Sequence, residues 1–362
     1  MSLRVVHVVE SMEPAAGRLG VLMGGLVDAL RSNGLETVVV NELIDVAASS
    51  STPSPDVIHI HGWGFSGAKA AAREAQRNRI PYVVSPLGDL DDRSVGRSSW
   101  WERLRRWRVD RPLLKSAAAI TALNETEAAG LRKQVEAERV VTLPFGISVG
   151  DYGESPEKEL ALSSQISLKE QKSGVAANSE GRTILLLGPI EPSEGCVQLL
   201  KAMAELGPVA DGWTVALAGE EVGAYRNMLE AAVRRKGAST RVEFSTAADV
   251  AAQRQWLAKA SLVISPSLRV RLPVSMMQAL AASIPVLASN LLIPPGLESK
   301  IAAFDSSRSE LRSALQAMMN QSDVDRRANA MQTSKKARTI IDWSARVEAF
   351  ISLYSKLARR SA

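Results

Sequence analysis

Two histidines stand two residues apart in the segment DVIHIHGWG, at the end of a short apolar run. Residues two apart on a β-strand point to the same face, so the imidazoles of His59 and His61 are expected side by side. Neighbouring imidazoles suit proton transfer or metal binding. A zinc site usually takes three or more protein ligands, and His7 is the one remaining histidine of the chain. The pattern therefore favours a hydrogen-bonded histidine pair, and we expect no metal.

Carboxylates follow two apolar runs in the first half of the chain. Glu10 comes directly after the run RVVHVV, and Asp89 stands in the loop after the run IPYVVS, two residues beyond Leu87. Carboxylate oxygens accept hydrogen bonds from hydroxyl groups, so both side chains suit a ligand that carries many hydroxyls. The alternative, that they are solvated loop carboxylates, stays open.

The segment from Arg93 to Lys115 combines eight basic residues with three tryptophans. A helix would align Trp100, Leu104 and Trp107 on one stripe. A basic aromatic helix of this kind is typical of proteins that lie on an anionic membrane surface. The charges that would meet the surface are those of Arg103, Arg105, Arg106 and Arg108. The alternatives are that the same composition stacks on nucleic acid, or that the tryptophans pack inward and the arginines are solvated.

The composition of the 362 residues is that of a globular protein, with 46% hydrophobic and 23% charged residues. The length suits two domains. Cys196 is the single cysteine, which excludes an internal disulfide. A net charge of +5 is too small to indicate a nucleic-acid partner. Without a bilayer-spanning apolar run or a secretory leader, we expect a cytoplasmic protein, with peripheral binding to the inner membrane face through the basic segment.

Short apolar runs alternate with amphipathic segments along most of the chain, which predicts parallel sheets with helical crossovers. Residues 151–182 are polar and without periodicity, as expected of a linker. We therefore predict an α/β fold with two Rossmann-like, doubly wound domains at 1–150 and 183–340, and a terminal helix within 341–362 that packs back on the first domain. Any ligand should lie in a cleft at the carboxyl ends of both sheets.

Seven segments, in this order, resemble the group 1 glycosyltransferases of the GT-B fold. RVVHVVESMEPAAG is similar to their opening strand and glycine loop, DVIHIHGWG to their second-strand signature, and IPYVVSPLGDLDD to the strand that normally ends in Pro-His-Gly. VVTLPFGI resembles their Pro-Asn-Gly turn, and ILLLGPIEPSEGCVQLLKAM the strand, loop and helix that open the nucleotide domain. SLVISPSLRVRLPVSMMQALAASIPVLAS resembles the donor-site segment, and IIDWSARVEAFISLYSKLA the terminal helix. The resemblance implies transfer of a sugar from a nucleotide sugar to an acceptor, with retention of the anomeric configuration.

The resemblance also assigns site residues, several of which depart from the family pattern. Pro189 and Glu194 stand where the family carries an Arg and a Lys toward the diphosphate. Val270 and Gln278, eight residues apart, stand where it carries two Glu for the donor sugar and the ribose. By this assignment the donor site comprises Gly17, Arg18, Gly188, Glu194, Gly219, Ser267, Val270 and Arg271; the acceptor site comprises Glu10, Leu87 and Asp89; and the remaining catalytic candidates are His61 and Gln278.

The departures favour a transferase-family protein in which catalysis is weakened or lost. Leu87 replaces the His of Pro-His-Gly, and a Glu replaces a Lys at the diphosphate, which reverses the local charge. The implied partners are a nucleotide sugar of the UDP or GDP type and a glycan or lipid-linked acceptor in polysaccharide or glycolipid assembly. No cofactor or divalent metal is implied. The alternative is a non-catalytic binding or scaffold protein, or the partner subunit of an active transferase.

Overall fold

The computed structural model describes residues 2–11, 18–41, 54–90, 106–153, 182–220, 224–235, 241–247, 250–305 and 307–361. The chain forms two compact units. Unit 1 comprises Met1–Ile147, Arg269–Leu272 and Trp343–Ala362, and unit 2 comprises Ser148–Leu268 and Pro273–Asp342. The predicted linker at 151–182 lies outside the described residues except for 151–153 and 182.

Unit 1 is built on six described strands that all run parallel. In chain order its elements are β1 (Arg4–Val8), α1 (Arg18–Ser32), β2 (Glu36–Val40), β3 (Val57–His61), α2 (Ser66–Arg77), β4 (Tyr82–Ser85), a π-helical turn (Arg106–Asp110), α3 (Arg111–Ser116), β5 (Ala119–Ala122), α4 (Glu125–Leu131) and β6 (Val140–Thr142). The strand order is β2-β1-β3-β4-β5-β6. The direction of winding therefore reverses between β1 and β3.

Unit 2 repeats this architecture with six more described parallel strands. Its elements are β7 (Arg182–Leu187), α5 (Cys196–Leu206), β8 (Trp213–Ala218), α6 (Tyr225–Arg235), β9 (Arg241–Ser245), α7 (Val250–Lys259), β10 (Leu262–Ser265), α8 (Val274–Ala281), β11 (Val286–Ser289), β12 (Ala302–Phe304), α9 (Arg308–Met319) and α10 (Asp323–Ile341). The order β12-β11-β10-β7-β8-β9 is the Rossmann order, and it reverses between β7 and β10.

The strands are apolar on both faces because helices cover both faces of each parallel sheet. In unit 1, Ile58 and Ile60 of β3 pack with Ala71 and Ala75 of α2 on one face. The opposite face of the same strand carries His59 and His61. In unit 2, strands β7, β8 and β10 pack against α5 and α9 through a second apolar core. The predicted fold class, two doubly wound parallel α/β units, is confirmed.

The last helix, α11 (Trp343–Ser361), belongs to unit 1. It contacts α1 and β3, and its buried face includes Phe350 and Tyr354. The Trp343 backbone N–H donates to the Ile147 carbonyl, 3.3 Å away, and so fastens the start of the helix to unit 1. Among the described helices, none combines the length and the apolar character that a membrane span requires.

Candidate functional site

The switch point of each doubly wound sheet is where such folds bind ligands, beyond the carboxyl ends of the strands. In unit 2 this point lies between β7 and β10. The strand that follows β7 in the sheet, β8, ends close beside it. A Cβ atom on Gly219 would lie 1.8 Å from the Gly188 carbonyl oxygen, so only glycine lets these two strand ends approach. Both glycines assigned from the sequence therefore shape the backbone at this edge.

The loops after β7 and β10 pack on each other within unit 2. Gly195 has a left-handed backbone (φ 77°), and a Cβ atom there would lie 2.1 Å from the Pro266 carbonyl oxygen. The Leu268 N–H donates to the Ser193 carbonyl at 2.9 Å, and the Ser267 hydroxyl reaches the same oxygen at 3.4 Å. Ser267 is thus a buried residue whose hydroxyl bonds to protein.

The segment just before α5 carries negative charge. Glu194 is 5% exposed and lies in the short 3-10 turn directly before the helix, three residues after Glu191. Burial first, and then the charges of Glu194 and Glu191, raise the pKa of the Cys196 thiol to about 12. The N-terminus of a helix is ordinarily an anion-binding site. Here the carboxylates of Glu191 and Glu194 lie near the N-terminus of α5, and their negative charge disfavours a bound anion.

Gln278 is a buried residue of α8, with 1% exposure. Its Nε2 donates to the Tyr152 hydroxyl at 3.0 Å and to Gln253 Oε1 at 3.3 Å. Burial raises the pKa of Tyr152, so the phenol stays protonated. The amide group assigned to a ribose is therefore also an internal hydrogen-bonding group of unit 2.

Two assigned donor residues lie in unit 1, in the short segment Arg269–Leu272. Val270 is 2% exposed, and Arg271 is also buried. A Cβ atom on Gly88 would lie 2.0 Å from the Val270 carbonyl oxygen, so the segment abuts the turn that follows β4. An apolar, buried Val270 side chain offers no hydrogen-bonding group to a sugar.

The turn after β4 is an unusual piece of backbone. Leu87 has a φ of 57°, the left-handed region that favours glycine, and Gly88 follows with 92°. Such a conformation in a non-glycine residue costs ~1–3 kcal/mol. The carboxylate of Glu127 holds the turn, because Oε1 accepts from the Gly88 N–H at 2.7 Å and Oε2 from the Leu123 N–H at 2.8 Å.

Sequence reasoning missed this role of Glu127. The segment NETE is typical of a helix start, and Asn124 caps α4 by accepting from the Glu127 N–H at 3.0 Å. The third residue after a cap reaches back toward the cap in a capping box. A carboxylate at that position was the available signal, although its reach to Gly88 depends on tertiary structure.

The two acceptor-site carboxylates differ in their surroundings. Asp89 Oδ2 accepts from the backbone N–H groups of Trp63 and Gly64 at 2.7 and 2.8 Å, and so ties the loop after β3 to the loop after β4. Glu10 is exposed at the carboxyl end of β1. Of the two, only Glu10 presents its carboxylate without a described backbone partner.

The predicted histidine pair is part of a larger buried cluster. His7 pairs with His59 in the register of β1 and β3. His7 Nδ1 lies 2.9 Å from His61 Nε2, and His59 bonds to the Tyr354 hydroxyl at 2.6 Å and the Ser85 hydroxyl at 2.7 Å. Burial lowers the pKa of His7 to about 3 and those of His59 and His61 well below the usual value, with neighbouring histidines contributing. All three rings are therefore neutral.

His61, the catalytic candidate, is also an aromatic core residue. It is 1% exposed, and its ring meets that of Phe145 edge-on, with centroids 5.7 Å apart. Phe145 in turn contacts Trp343 and Phe350. Phe145, which stands where the family's Pro-Asn-Gly turn has its Asn, thus fills an apolar cluster beside the histidines.

The remaining assigned residues fall at the edge of what the structure describes. Gly17, Arg103 and Arg105 lie outside the described residues, and the side chains of Arg18 and Arg106 are not described. Arg18 begins α1, Arg106 begins the π-helical turn, and Arg108 is exposed on that turn.

Comparison with protein families identifies both halves of the chain. A model described as a glycosyl transferase 4-like domain matches residues 4–146, and one described as glycosyl transferases group 1 matches residues 181–321. A search of curated protein sequences found no match.

Solved structures of similar fold cover nearly the whole chain. Sucrose-phosphate synthase from Thermosynechococcus elongatus is 15% identical with a TM-score of 0.74, covering 98% of this chain and 99% of that one. HepE from Anabaena, solved with UDP and glucose, is 17% identical with a TM-score of 0.70, covering 98% and 100%. Starch synthase IV from Arabidopsis thaliana, bound to ADP and acarbose, is 12% identical with a TM-score of 0.70, covering 99% and 100%. At these identities the likeness establishes the fold, which is GT-B.

Proposed function

The chain belongs to the group 1 glycosyltransferases, and from that premise we propose that it is a transferase-family protein whose transfer from a nucleotide sugar is severely weakened. The donor would be of the UDP or GDP type, and the acceptor a glycan or a lipid-linked sugar. HepE was solved with UDP-glucose and starch synthase IV with ADP, which supports a nucleoside diphosphate as the common recognition element.

The observation that carries the proposal is the buried carboxylate of Glu194 at the N-terminus of α5. A nucleoside diphosphate leaving group needs positive charge or free helix N–H groups as its charge develops. A hydrogen bond to a charged group contributes ~1.5–3 kcal/mol. A Glu at a Lys position removes that contribution and adds repulsion, so it weakens both binding and departure of the diphosphate.

Val270 and Gln278 support the proposal from the sugar and ribose side. Val270 is apolar and buried, and Gln278 already donates to Tyr152 and Gln253. The hydroxyl groups of a donor would lose two carboxylate partners. Gln278 remains the polar group to which we assign any residual catalysis, with the Gly188, Gly219 and Ser267 backbone shaping the donor site. His61, the other catalytic candidate, is enclosed among aromatic rings of unit 1, and we assign it no contact with substrate.

A second candidate function is a non-catalytic binding or scaffold protein, or a partner subunit of an active transferase. The left-handed turn at Leu87 favours it, since the strained backbone is kept while an apolar side chain replaces the His of the family. An acceptor site that keeps its shape without its polar group suits recognition of a glycan better than its modification.

The basic segment from Arg93 to Lys115 is the basis for the localisation that we propose. Arg108 is exposed on the π-helical turn, and we propose peripheral attachment of a cytoplasmic protein to the anionic inner membrane face through Arg103, Arg105, Arg106 and Arg108. Sedimentation with anionic vesicles tests this directly. The double variant R105E/R106E should lose binding at low salt, and unchanged sedimentation would contradict the proposal.

Release of nucleoside diphosphate from a panel of UDP-, GDP- and ADP-sugars tests the weakened transfer. We expect turnover below ~1 s⁻¹, the lower end of the ordinary enzyme range, with every donor, both alone and with glycan acceptors. Turnover in that ordinary range with any donor would contradict the proposal. Binding of a glycan without turnover would favour the second candidate.

A further inference from the structure

Three imidazoles converge beneath helix α11, inside unit 1. His7, His59 and His61 are 0, 0 and 1% exposed. One nitrogen of each ring lies within 4.8 Å of one nitrogen of each of the other two. The rings of His59 and His61 are 3.9 Å apart between centroids, and that of His7 lies 5.2 Å from His61. The two strands place them there because His7 and His59 are register partners and His61 follows on the same face.

Hydrogen bonds among the described residues leave this cluster incompletely satisfied. Four of its six ring nitrogens have partners: His7 Nδ1 and His61 Nε2 bond to each other, and both nitrogens of His59 bond to hydroxyls. His7 Nε2 and His61 Nδ1 are buried without a partner in the part of the chain that the structure describes. Buried polar atoms of this kind ordinarily indicate a further partner such as a water or an ion.

We propose that His7, His59 and His61 form a buried structural site for a divalent transition metal of the zinc class. Neutral imidazole nitrogens suit Zn²⁺, Co²⁺, Ni²⁺ and Cu²⁺, whereas Mg²⁺ and Ca²⁺ prefer oxygen ligands, which none of the three side chains offers. Three histidines are also a known zinc ligand set, in which a water molecule takes the fourth position of the tetrahedron. The site is separate from the proposed transferase chemistry and does not depend on it.

The spacing needs little adjustment to bind such an ion. His7 Nδ1 and His61 Nε2 are 2.9 Å apart, against about 3.3 Å for two nitrogens on one tetrahedral zinc with Zn–N of about 2.0 Å. Each ring is neutral and has one N–H, and one of the two rings donates its N–H in their mutual hydrogen bond. On binding, the proton of that donor ring moves to its other nitrogen, so both rings present a lone pair to the ion and no proton is released. Binding therefore requires this tautomer change, a small separation of the two rings and the loss of one hydroxyl partner from His59.

His59 has the outer-shell partners that metal-binding histidines usually have. A ligating imidazole ordinarily donates its second N–H to an oxygen acceptor, which fixes the ring orientation. His59 has two such oxygens, the Ser85 hydroxyl at 2.7 Å and the Tyr354 hydroxyl at 2.6 Å. Coordination through either nitrogen leaves one hydroxyl in place on the other.

The complete burial of the cluster makes the site structural. Substrate has no access to rings that are 0 to 1% exposed, so the ion would stabilise packing and would not react. Tyr354 of α11 reaches the cluster through His59. A bound metal would therefore strengthen the attachment of the terminal helix to β1 and β3, and it would enter during folding or when that helix opens.

The chain has only three histidines and one cysteine. Few other side chains could therefore bind such a metal and obscure the result. Tag-free protein is unfolded in chelator, then refolded with Zn²⁺ or Co²⁺ and freed of excess ion. Elemental analysis is expected to give one metal per chain, and the cobalt form should show the intense visible bands of a tetrahedral site. A ¹⁵N correlation spectrum of the three imidazoles would show which nitrogens shift on binding.

Two variants separate ligation from packing. His61→Asn should reduce the metal content below about a tenth of an equivalent, whereas Tyr354→Phe, which keeps all three imidazoles, should retain it. If His61→Asn does not fold, the metal content of the wild type and the imidazole shifts on binding still test whether the three histidines bind the ion. Folded wild-type protein that takes up no Zn²⁺ or Co²⁺ on refolding would overturn the proposal, as would equal uptake by His61→Asn.

Discussion

At the scale of single residues, the proposed function and the stability of unit 1 both depend on buried carboxylates. Glu194 brings a carboxylate to the start of α5, and Glu127 holds the turn after β4. The sequence singles out Glu194 by its position at a family lysine, whereas nothing local distinguishes Glu127 from other glutamates at helix starts. Their importance comes from burial and from the backbone N–H groups near them, since a buried carboxylate has large energetic consequences and an exposed one has small ones.

The thiol of Cys196 should be unreactive in the folded protein. Burial and the nearby charges of Glu194 and Glu191 raise its pKa to about 12, so almost none is thiolate at pH 8. We expect a disulfide reagent such as DTNB to react with this single cysteine only after unfolding in guanidinium. Labelling of the native protein at the rate of the unfolded chain would contradict the placement of Glu194 and Cys196.

Glu127→Gln should destabilise unit 1. The carboxylate accepts from the Gly88 and Leu123 N–H groups with its two oxygens, and an amide keeps only one acceptor. Loss of a charged, buried hydrogen bond predicts a decrease of ~1.5–3 kcal/mol in the free energy of unfolding, measured in urea.

The matched control is Glu125→Gln, two residues earlier on the same helix. Its carboxylate bonds to Thr142 and Arg132 at the surface, so the change should remain within ~0.5 kcal/mol. Equal effects of the two variants would show that the Gly88 turn does not depend on Glu127.

The candidate site was only partly predictable from sequence at this scale. Residue spacing placed His59 and His61 on one face, and the structure confirms that placement. The third imidazole, His7, lies more than fifty residues away in sequence and reaches the pair only through the pairing of β1 with β3. Long-range pairing of this kind leaves no local pattern, so both the His7 contact and the Glu127–Gly88 bond escaped prediction.

At the scale of elements, periodicity located most of the strands and helices because their buried faces are apolar. The exceptions, neither of which was predicted, are the short strand β12 and helix α10. The buried face of α10 includes Arg326 and Ser334 alongside Ala330, Ala337 and Ile341, which removes the apolar stripe. Its start carried a local signal: Ser322 accepts from the Asp325 N–H at 3.1 Å, as in a helix cap.

Two glycines of different elements should respond oppositely to alanine. At Gly219 a Cβ atom would meet the Gly188 carbonyl oxygen at 1.8 Å, so the ends of β7 and β8 must separate. At Gly24, inside α1, nothing lies within 4 Å of the new Cβ atom. We expect Gly219→Ala to destabilise by several kcal/mol, roughly the range of severe core changes.

For Gly24→Ala we expect stabilisation of ~0.5–1 kcal/mol, because alanine restricts the unfolded chain and favours the helix. Thermal unfolding of both variants measures the contrast. A tolerated Gly219→Ala would show that the two strand ends do not make the close approach that shapes the candidate donor site.

At the scale of the whole molecule, the chain has the architecture of its family, and we propose that its donor chemistry departs from the family pattern. Apolar strands, crossover helices and a few glycines are sufficient to form two parallel sheets that each reverse their winding direction once. The alternation in sequence was sufficient to predict that architecture. We propose that function depends instead on a few positions, such as Glu194 and Val270, where the sequence keeps the spacing of the family and changes the chemical type of the side chain.

The most direct test of the central claim is calorimetric titration of wild-type protein and Glu194→Lys with UDP, GDP and their sugar conjugates. We expect wild-type binding weaker than about 1 mM. Restoring the cation at α5 should tighten it at least about tenfold, equivalent to ~1.4 kcal/mol. The control, Glu205→Lys, makes the same charge change roughly 14 Å further along α5 and should leave binding unchanged. Micromolar binding by the wild type that Glu194→Lys does not improve would contradict the account.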